Sequence, residues 1–188
     1  MVVIDATMLL LLLRPGIPVP AGPGGVPIDK PKERVEHLVR QLEQDRTKII
    51  VPTPALSEVL VRAGVAASQQ IIEHLQKYSV FRIEPFDTRA AIEVATMTRD
   101  AIAKGKKRGD NAATYAKIKY DRQIVAIARV CGATTIYSDD GDIRALGKET
   151  KLTVIGLADL PLPPESRQQP LPLSGTDPSS ARRKDEEP

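Results

Sequence analysis

The fold of this 188-residue chain is decided by residues 136–143, Ile-Tyr-Ser-Asp-Asp-Gly-Asp-Ile. The β-branched and aromatic run Thr-Thr-Ile-Tyr at 134–137 predicts a buried strand, and three aspartates follow where that strand ends. Runs of this kind are typical of strands inside parallel sheets. Because α/β proteins bind ligands at the carboxyl ends of such strands, the aspartates mark a candidate site. A plain turn is the alternative explanation of the same residues.

Apolar runs and amphipathic helices alternate along the rest of the chain. Strands are predicted at 2–4, 49–51, 80–84, 134–137 and 152–155. Helices are predicted at 33–46, 54–63, 67–78, 88–103, 121–131 and 142–146, and the first strand is expected to run directly into a helix. This alternation predicts an α/β fold with a mostly parallel central sheet of four or five strands.

The prolines divide the chain into a compact part and a tail. Six of the sixteen lie in 15–31 and seven lie in 161–188. We therefore predict one domain over 1–160, with a Pro/Gly-rich loop at 14–31. The remaining residues, 161–188, lack hydrophobic periodicity and are predicted to form a disordered, Pro-rich charged tail.

Composition narrows the class of protein. Cys131 is the single cysteine, which excludes an internal disulfide framework and a cysteine zinc site. The longest apolar run, 8–13, is far shorter than the roughly 20 residues of a membrane span. We expect a cytoplasmic protein without membrane contact. A net charge of +3 permits a nucleic-acid partner without requiring one.

Acidic residues are expected to converge at one end of the sheet. Asp5 follows the first strand, Glu58 lies early in the helix after the second, and Asp121 begins helix 121–131. Together with the aspartates of 139–142, they form a set of hard oxygen ligands that suits Mg²⁺ or Mn²⁺. A site of this kind activates water and stabilises charge on a phosphoryl group, which indicates phosphodiester hydrolysis.

Each acid also has a structural explanation. Asp121 and Asp142 can be helix N-caps, and Glu58 can be a solvated helix residue. Asp5 is the hardest to explain in this way, because it directly follows the apolar residues of a buried strand. The residues alone leave both explanations open.

Four motifs in this order resemble the PIN domain, the nuclease fold of VapC-like toxins. They are Val-Ile-Asp-Ala-Thr-Met-Leu-Leu at 3–10, Thr-Pro-Ala-Leu-Ser-Glu-Val-Leu at 53–60, Asp-Arg-Gln-Ile-Val-Ala-Ile-Ala at 121–128, and residues 136–143 quoted above. The resemblance covers about 1–160. In the fourth motif, Ile143 stands where the family usually has Phe. The loop at 14–31 and the basic segment at 105–120 are longer than is typical.

The resemblance implies a three-layer α/β/α sandwich and a metal-dependent ribonuclease. Carried over by motif position, the catalytic and metal-binding acids are Asp5, Glu58, Asp121 and Asp140. Asp142 becomes a supporting or second-metal ligand, and Thr7 and Ser138 become supporting polar residues. The implied cofactor is Mg²⁺ or Mn²⁺.

A basic segment leads into the third motif. Eight basic and three acidic residues lie between Arg99 and Arg122, so this segment is expected to contact a nucleic-acid backbone beside the acids. The expected phosphate contacts are Lys104, Lys106, Lys107, Arg108, Lys117, Lys119 and Arg122, with Arg14 at the mouth of the first strand. A solvated loop is the alternative. Tyr115 and Tyr120 are candidates for stacking on bases, with packing in the core as the alternative for at least one of them.

The function expected from these observations is divalent-metal-dependent endoribonuclease, with the toxin of a toxin–antitoxin pair as one biological context. RNA is then the substrate, an antitoxin protein a partner, and a homodimer the expected assembly. Apolar residues of the helices at 54–63 and 67–78 suit a dimer interface or the core equally well: Leu56, Val59, Leu60, Ile71, Ile72 and Leu75. The alternatives are a non-toxin PIN nuclease in RNA processing, in defence or on DNA, and a non-catalytic RNA-binding or interaction module.

Overall fold

The computed structural model describes residues 1–14, 17–18, 20–105 and 115–164. The strands are β1 Val2–Ile4, β2 Ile49–Pro52, β3 Phe81–Glu84, β4 Thr135–Tyr137 and β5 Thr153–Ile155. The helices are α1 Ala6–Leu13, α2 Pro31–Gln44, α3 Thr53–Ala63, α4 Val65–Lys77, α5 Thr88–Ala103, α6 Tyr115–Val130 and α7 Gly141–Thr150. Most of the tail predicted at 161–188 lies outside the described residues.

The five strands form one parallel sheet in the order β3-β2-β1-β4-β5. Val3 of the central strand is aligned with Ile50 on one side and Ile136 on the other, and all three side chains are fully buried. Short strands that are apolar on both faces need cover on both faces, which is why helices separate them in the sequence. The predicted α/β class with a parallel central sheet is confirmed.

Helices cover both faces of this sheet. From β1 the chain moves outward through β2 to β3, and then crosses to β4 and β5 on the other side of β1. Right-handed connections place α1–α4 on one face and α5–α7 on the other. The contacts agree, since α1 packs on α2 and α3 while α6 packs on α5 and α7. The result is the predicted three-layer arrangement.

The leucine-rich helix α1 packs into the core. Leu9, Leu10 and Leu11 are each at most 3% exposed, and Met8 is fully buried. None of the helices in the described part of the chain has the length and apolarity that crossing a membrane requires.

Helix α6 begins at Tyr115, six residues before the predicted start at 121. The high charge of the preceding segment suggested a loop, but Ile118 and Ile124 are buried and extend the apolar face of the helix. Asp121 therefore lies inside the helix and is not its N-cap. Lys117 lies one turn earlier on the same face as Asp121.

The apolar residues named for a dimer interface lie mainly in the core. Leu56, Val59, Ile71 and Leu75 are at most 7% exposed. The homodimer stays a prediction, and these four side chains are not available to form it.

Helix α7 approaches β5 closely at Gly147, and this contact should not tolerate a side chain. A Cβ at Gly147 would lie 2.5 Å from Cγ2 of Val154 and 3.2 Å from the carbonyl oxygen of Leu152. We expect Gly147→Ala to lower the free energy of unfolding by roughly 1–3 kcal/mol, as overpacked cores do. Chemical denaturation measures the loss. Gly141→Ala is the matched control, because a Cβ there meets no atom within 4 Å; equal losses in both variants would contradict the packing explanation.

Candidate metal centre

The carboxyl ends of β1, β2 and β4 open into a cavity of about 600 Å³. Its polar and charged lining comes from four parts of the chain: Asp5 and Thr7 after β1, Glu58 and Arg62 on α3, Lys117, Tyr120 and Asp121 on α6, and Asp139 and Asp140 after β4. The predicted convergence of acids at this edge of the sheet is therefore observed.

Three carboxylates form a tight cluster at this edge. One oxygen from each of Asp121, Asp140 and Asp142 lies within 4.8 Å of the other two. The Lys117 ammonium binds all three, at 3.2 Å from Asp121, 2.8 Å from Asp140 and 2.6 Å from Asp142. The basic segment predicts Lys117 as a phosphate contact beside the acids, but its side chain points into the acidic cluster.

The turn after β4 fixes Asp140 in place. Its Oδ1 caps α7 by accepting hydrogen bonds from the backbone N–H groups of Asp142 at 2.7 Å and Ile143 at 3.3 Å. The Ser138 hydroxyl accepts the N–H of Asp140 at 3.0 Å. Because the backbone occupies Oδ1, the second oxygen of Asp140 is the one that faces Lys117.

Asp5 lines the cavity and is also the N-cap of α1. Its Oδ1 caps α1 by accepting the N–H of Met8 at 2.9 Å, and it is 5% exposed. Burial raises its pKa to about 6, and the charges of Asp139 and Asp140 add to this rise. Hydrogen bonds from Met8 and Ser138 partly offset it. Asp5 is thus both the N-cap of α1 and a buried acid. It lies beside the three-carboxylate cluster without being a member of it.

Asp121 and Lys117 perturb each other. Burial raises the pKa of Asp121 to about 6, with a further rise from Asp140 that the charge of Lys117 opposes. Burial lowers the pKa of Lys117, but hydrogen bonds to Asp140 and Asp142 outweigh it, so this pKa lies above its usual range. The cluster therefore favours a positive charge at its centre.

Glu58 lies on the opposite wall and has a different partner. Its Oε1 accepts a hydrogen bond from Arg62 at 2.6 Å, and its side chain is 49% exposed. Arg62 is not among the predicted site residues, although its position four residues after Glu58 on a predicted helix predicts this pair.

Two other residues predicted to contact phosphate, Arg122 and Arg14, have hydrogen-bond partners within the protein. Arg122 is 5% exposed, and its Nη1 lies 3.4 Å from the Thr98 hydroxyl. Among the residues that the structure describes, its Nε has no hydrogen-bond partner. It is packed between α5 and α6, so its guanidinium does not lie on an open flank. Arg14 donates to the carbonyl oxygen of Arg62 and so ties the end of α1 to α3.

The remaining basic residues stay predictions. Lys104, at the end of α5, and Lys119, on α6, are exposed. The other three, Lys106, Lys107 and Arg108, lie outside the described residues.

The donor set fits a hard divalent cation. Magnesium binds oxygens at about 2.1 Å, so opposite ligands lie up to about 4.2 Å apart. The three carboxylate oxygens here lie within 4.8 Å of one another, which is close to that span. The observed contacts of 2.6–3.2 Å are those of an ammonium ion, and a small inward movement of the same oxygens gives metal distances. Carboxylates of this density suit Mg²⁺ or Mn²⁺ better than softer metals.

No protein-family model matches the sequence, and no curated protein is significantly similar to it. The chain is similar in fold to solved structures that include two VapC-type proteins. One is VapC20 of Mycobacterium tuberculosis, a sarcin–ricin loop cleaving toxin, with 16% identity, a TM-score of 0.47, and coverage of 78% of this chain and 95% of that one. The other is DNA-bound VapBC of Salmonella typhimurium, with 14% identity, a TM-score of 0.49, and coverage of 83% and 97%.

Proposed function

We propose that the chain is a divalent-metal-dependent endoribonuclease. The observation that carries this proposal is the convergence of Asp121, Asp140 and Asp142 from two separate elements onto one point at the carboxyl edge of the sheet. Carboxylates repel one another, and such a cluster needs a cation to stay ionised. The four motifs that resemble the PIN domain support the same conclusion.

In this proposal, some residues bind the metal and others hold the metal-binding residues in position. Asp121, Asp140 and Asp142 would hold Mg²⁺ or Mn²⁺, which when bound lowers the pKa of water and stabilises charge on phosphate. Asp5 caps α1, lines the same cavity and stays a predicted metal-binding acid. Ser138 hydrogen-bonds both Asp5 and Asp140.

Glu58 and Thr7 form the part of the cavity wall where a second cation or the attacking water can be positioned. Water adds to phosphorus, the bond from phosphorus to the 3′ oxygen breaks, and that oxygen leaves with a proton as a 3′-hydroxyl. The other product carries a 5′-phosphate.

Tyr120 is the candidate contact for an RNA base at the cavity mouth. It lines the cavity on the same face of α6 as Lys117, and 52% of the residue is exposed. Stacking of a base on an aromatic ring contributes about 1–3 kcal/mol. We expect Tyr120→Ala to weaken RNA binding roughly 5- to 100-fold, and Tyr120→Phe to bind as the wild type does. Fluorescence anisotropy with a labelled single-stranded RNA measures both, and an equal loss in the Phe variant would exclude stacking.

Cleavage of end-labelled single-stranded RNA and DNA tests the proposed activity. We expect cutting of RNA with Mg²⁺ or Mn²⁺ and none with EDTA. Cutting that persists in EDTA would contradict the metal-dependent mechanism. Cutting of DNA in place of RNA would favour the alternative function, a nuclease that uses the same site on DNA.

A toxin–antitoxin role is a second proposal that rests on the motif resemblance. A toxin should arrest growth when it is expressed alone, and a protein encoded by the neighbouring gene should relieve the arrest. A nuclease of RNA processing or defence should not do so.

A non-catalytic RNA-binding module is favoured by one observation. Lys117 and Arg62 already neutralise acids of the cavity, as expected of a site that needs no metal. Undiminished RNA binding by a folded protein that cuts neither RNA nor DNA would support this alternative.

A further inference from the structure

Lys117 places a positive charge where the three carboxylates meet. Its ammonium makes contacts of 2.6–3.2 Å with Asp121, Asp140 and Asp142 at once. A divalent cation held by the same oxygens would share this volume. Two positive charges at such a distance repel each other strongly, so the ammonium and the metal exclude one another.

We propose that Lys117 is a built-in competitor of the divalent cation, and that metal binding at Asp121, Asp140 and Asp142 requires its ammonium to leave the cluster. This inference rests on the proposed function, because it takes the cluster to be a metal site. It goes beyond that function in stating that one lysine, Lys117, determines how tightly the cluster binds a divalent cation.

The surroundings of Lys117 allow it to leave. Its side chain is 42% exposed, whereas the side chains of Asp121 and Asp142 are 8% and 19% exposed. The lysine stem is flexible, and its ammonium is well hydrated in water. The carboxylates stay fixed by α6 and the α7 cap while the lysine swings away.

The opposite wall of the cavity has the same arrangement. Arg62 neutralises Glu58 from four residues away and is 58% exposed, as Lys117 neutralises Asp121 from four residues away. Glu58 and Asp121 thus each have a counter-ion on a partly exposed side chain of their own helix. The chain can fold without metal, at the cost of a lower metal affinity than the bare carboxylates would have.

Manganese binding by the full-length protein tests this competition without any measurement of catalysis. The electron paramagnetic resonance signal of free Mn²⁺ gives the affinity of the wild type and of Lys117→Met, which keeps an unbranched side chain but removes the charge. We expect Lys117→Met to bind Mn²⁺ roughly tenfold more tightly. Lys119→Met is the control, because it removes the same charge from an exposed position on the same helix, and its affinity should equal that of the wild type.

The charge-preserving variant Lys117→Arg keeps the test decisive if Lys117→Met does not fold. We expect its affinity to stay within about threefold of the wild type, because the competing charge is retained. The proposed competition would be wrong if Lys117→Met bound Mn²⁺ no more tightly than Lys119→Met, or if Lys117→Arg gained tenfold in Mn²⁺ affinity. Neither result would contradict the metal site itself. Binding by none of these proteins would overturn the metal site and the proposed function together.

Discussion

Replacing either Asp121 or Asp140 by Asn should reduce RNA cleavage roughly 1,000-fold, the scale of the charge stabilisation that a catalytic metal supplies. Both carboxylates belong to the cluster within 4.8 Å, and both contact the Lys117 ammonium. Asparagine keeps the size of the side chain and removes its charge. The Asp140 variant can still cap α7 through its amide oxygen, so its fold should survive. Initial rates of cleavage at saturating Mn²⁺ measure the effect.

Asp139→Asn is the matched control for these two variants. Asp139 adjoins Asp140 in the cavity wall, but its Oδ1 accepts the N–H of Leu157 at 2.8 Å, and it is not in the three-carboxylate cluster. An asparagine there keeps the acceptor. We expect its rate to stay within about fivefold of the wild type, as for a nearby screened charge. A loss equal to that of Asp140→Asn would mean that the rate depends on the general charge of the cavity.

Metal-free protein should lose stability as the pH rises from about 4 to about 6. The pKa of Asp5 is raised from 3.8 to about 6 in the folded protein, so the folded state binds its proton more tightly than the unfolded state does. Its contribution is fully present below pH 3.8 and is lost as the pH passes 6. The loss is about 3 kcal/mol for this one group, and Asp121 shifts in the same direction.

Asp5→Asn isolates this contribution. It removes the ionisable group and keeps an oxygen that can cap Met8. In EDTA at pH 7 we expect this variant to be more stable than the wild type by up to about 3 kcal/mol, with the difference vanishing near pH 4. Urea denaturation across this range measures both. A wild type that is the more stable protein at pH 7 would contradict burial as the main cause of the raised pKa.

The sheet and the position of the site could be predicted from the sequence because apolar strands and their acidic ends are local signals. Residues 2–4 are apolar without interruption, residues 134–137 are all β-branched or aromatic, and aspartates follow both segments at the sheet edge. Only the pairing of β1 with β4, which neither segment specifies alone, was needed to bring Asp5 beside Asp140.

The roles of the basic residues could not be predicted in the same way. A highly charged segment is typical of a solvated loop. Ile118, just before 121, is only a weak indication of an earlier start of α6. Once that helix is known, the four-residue spacing of Lys117 and Asp121 predicts their contact. The burial of Arg122 depends on how α5 packs on α6, which charge patterning does not reveal.

Crystals grown with Mn²⁺ would test the metal centre most directly. We predict an anomalous difference peak at about 2.2 Å from carboxylate oxygens of Asp121, Asp140 and Asp142, with the Lys117 ammonium turned away from them. No peak at this position, with the ammonium still bound to all three carboxylates at millimolar Mn²⁺, would contradict the assignment of a metal-dependent nuclease site.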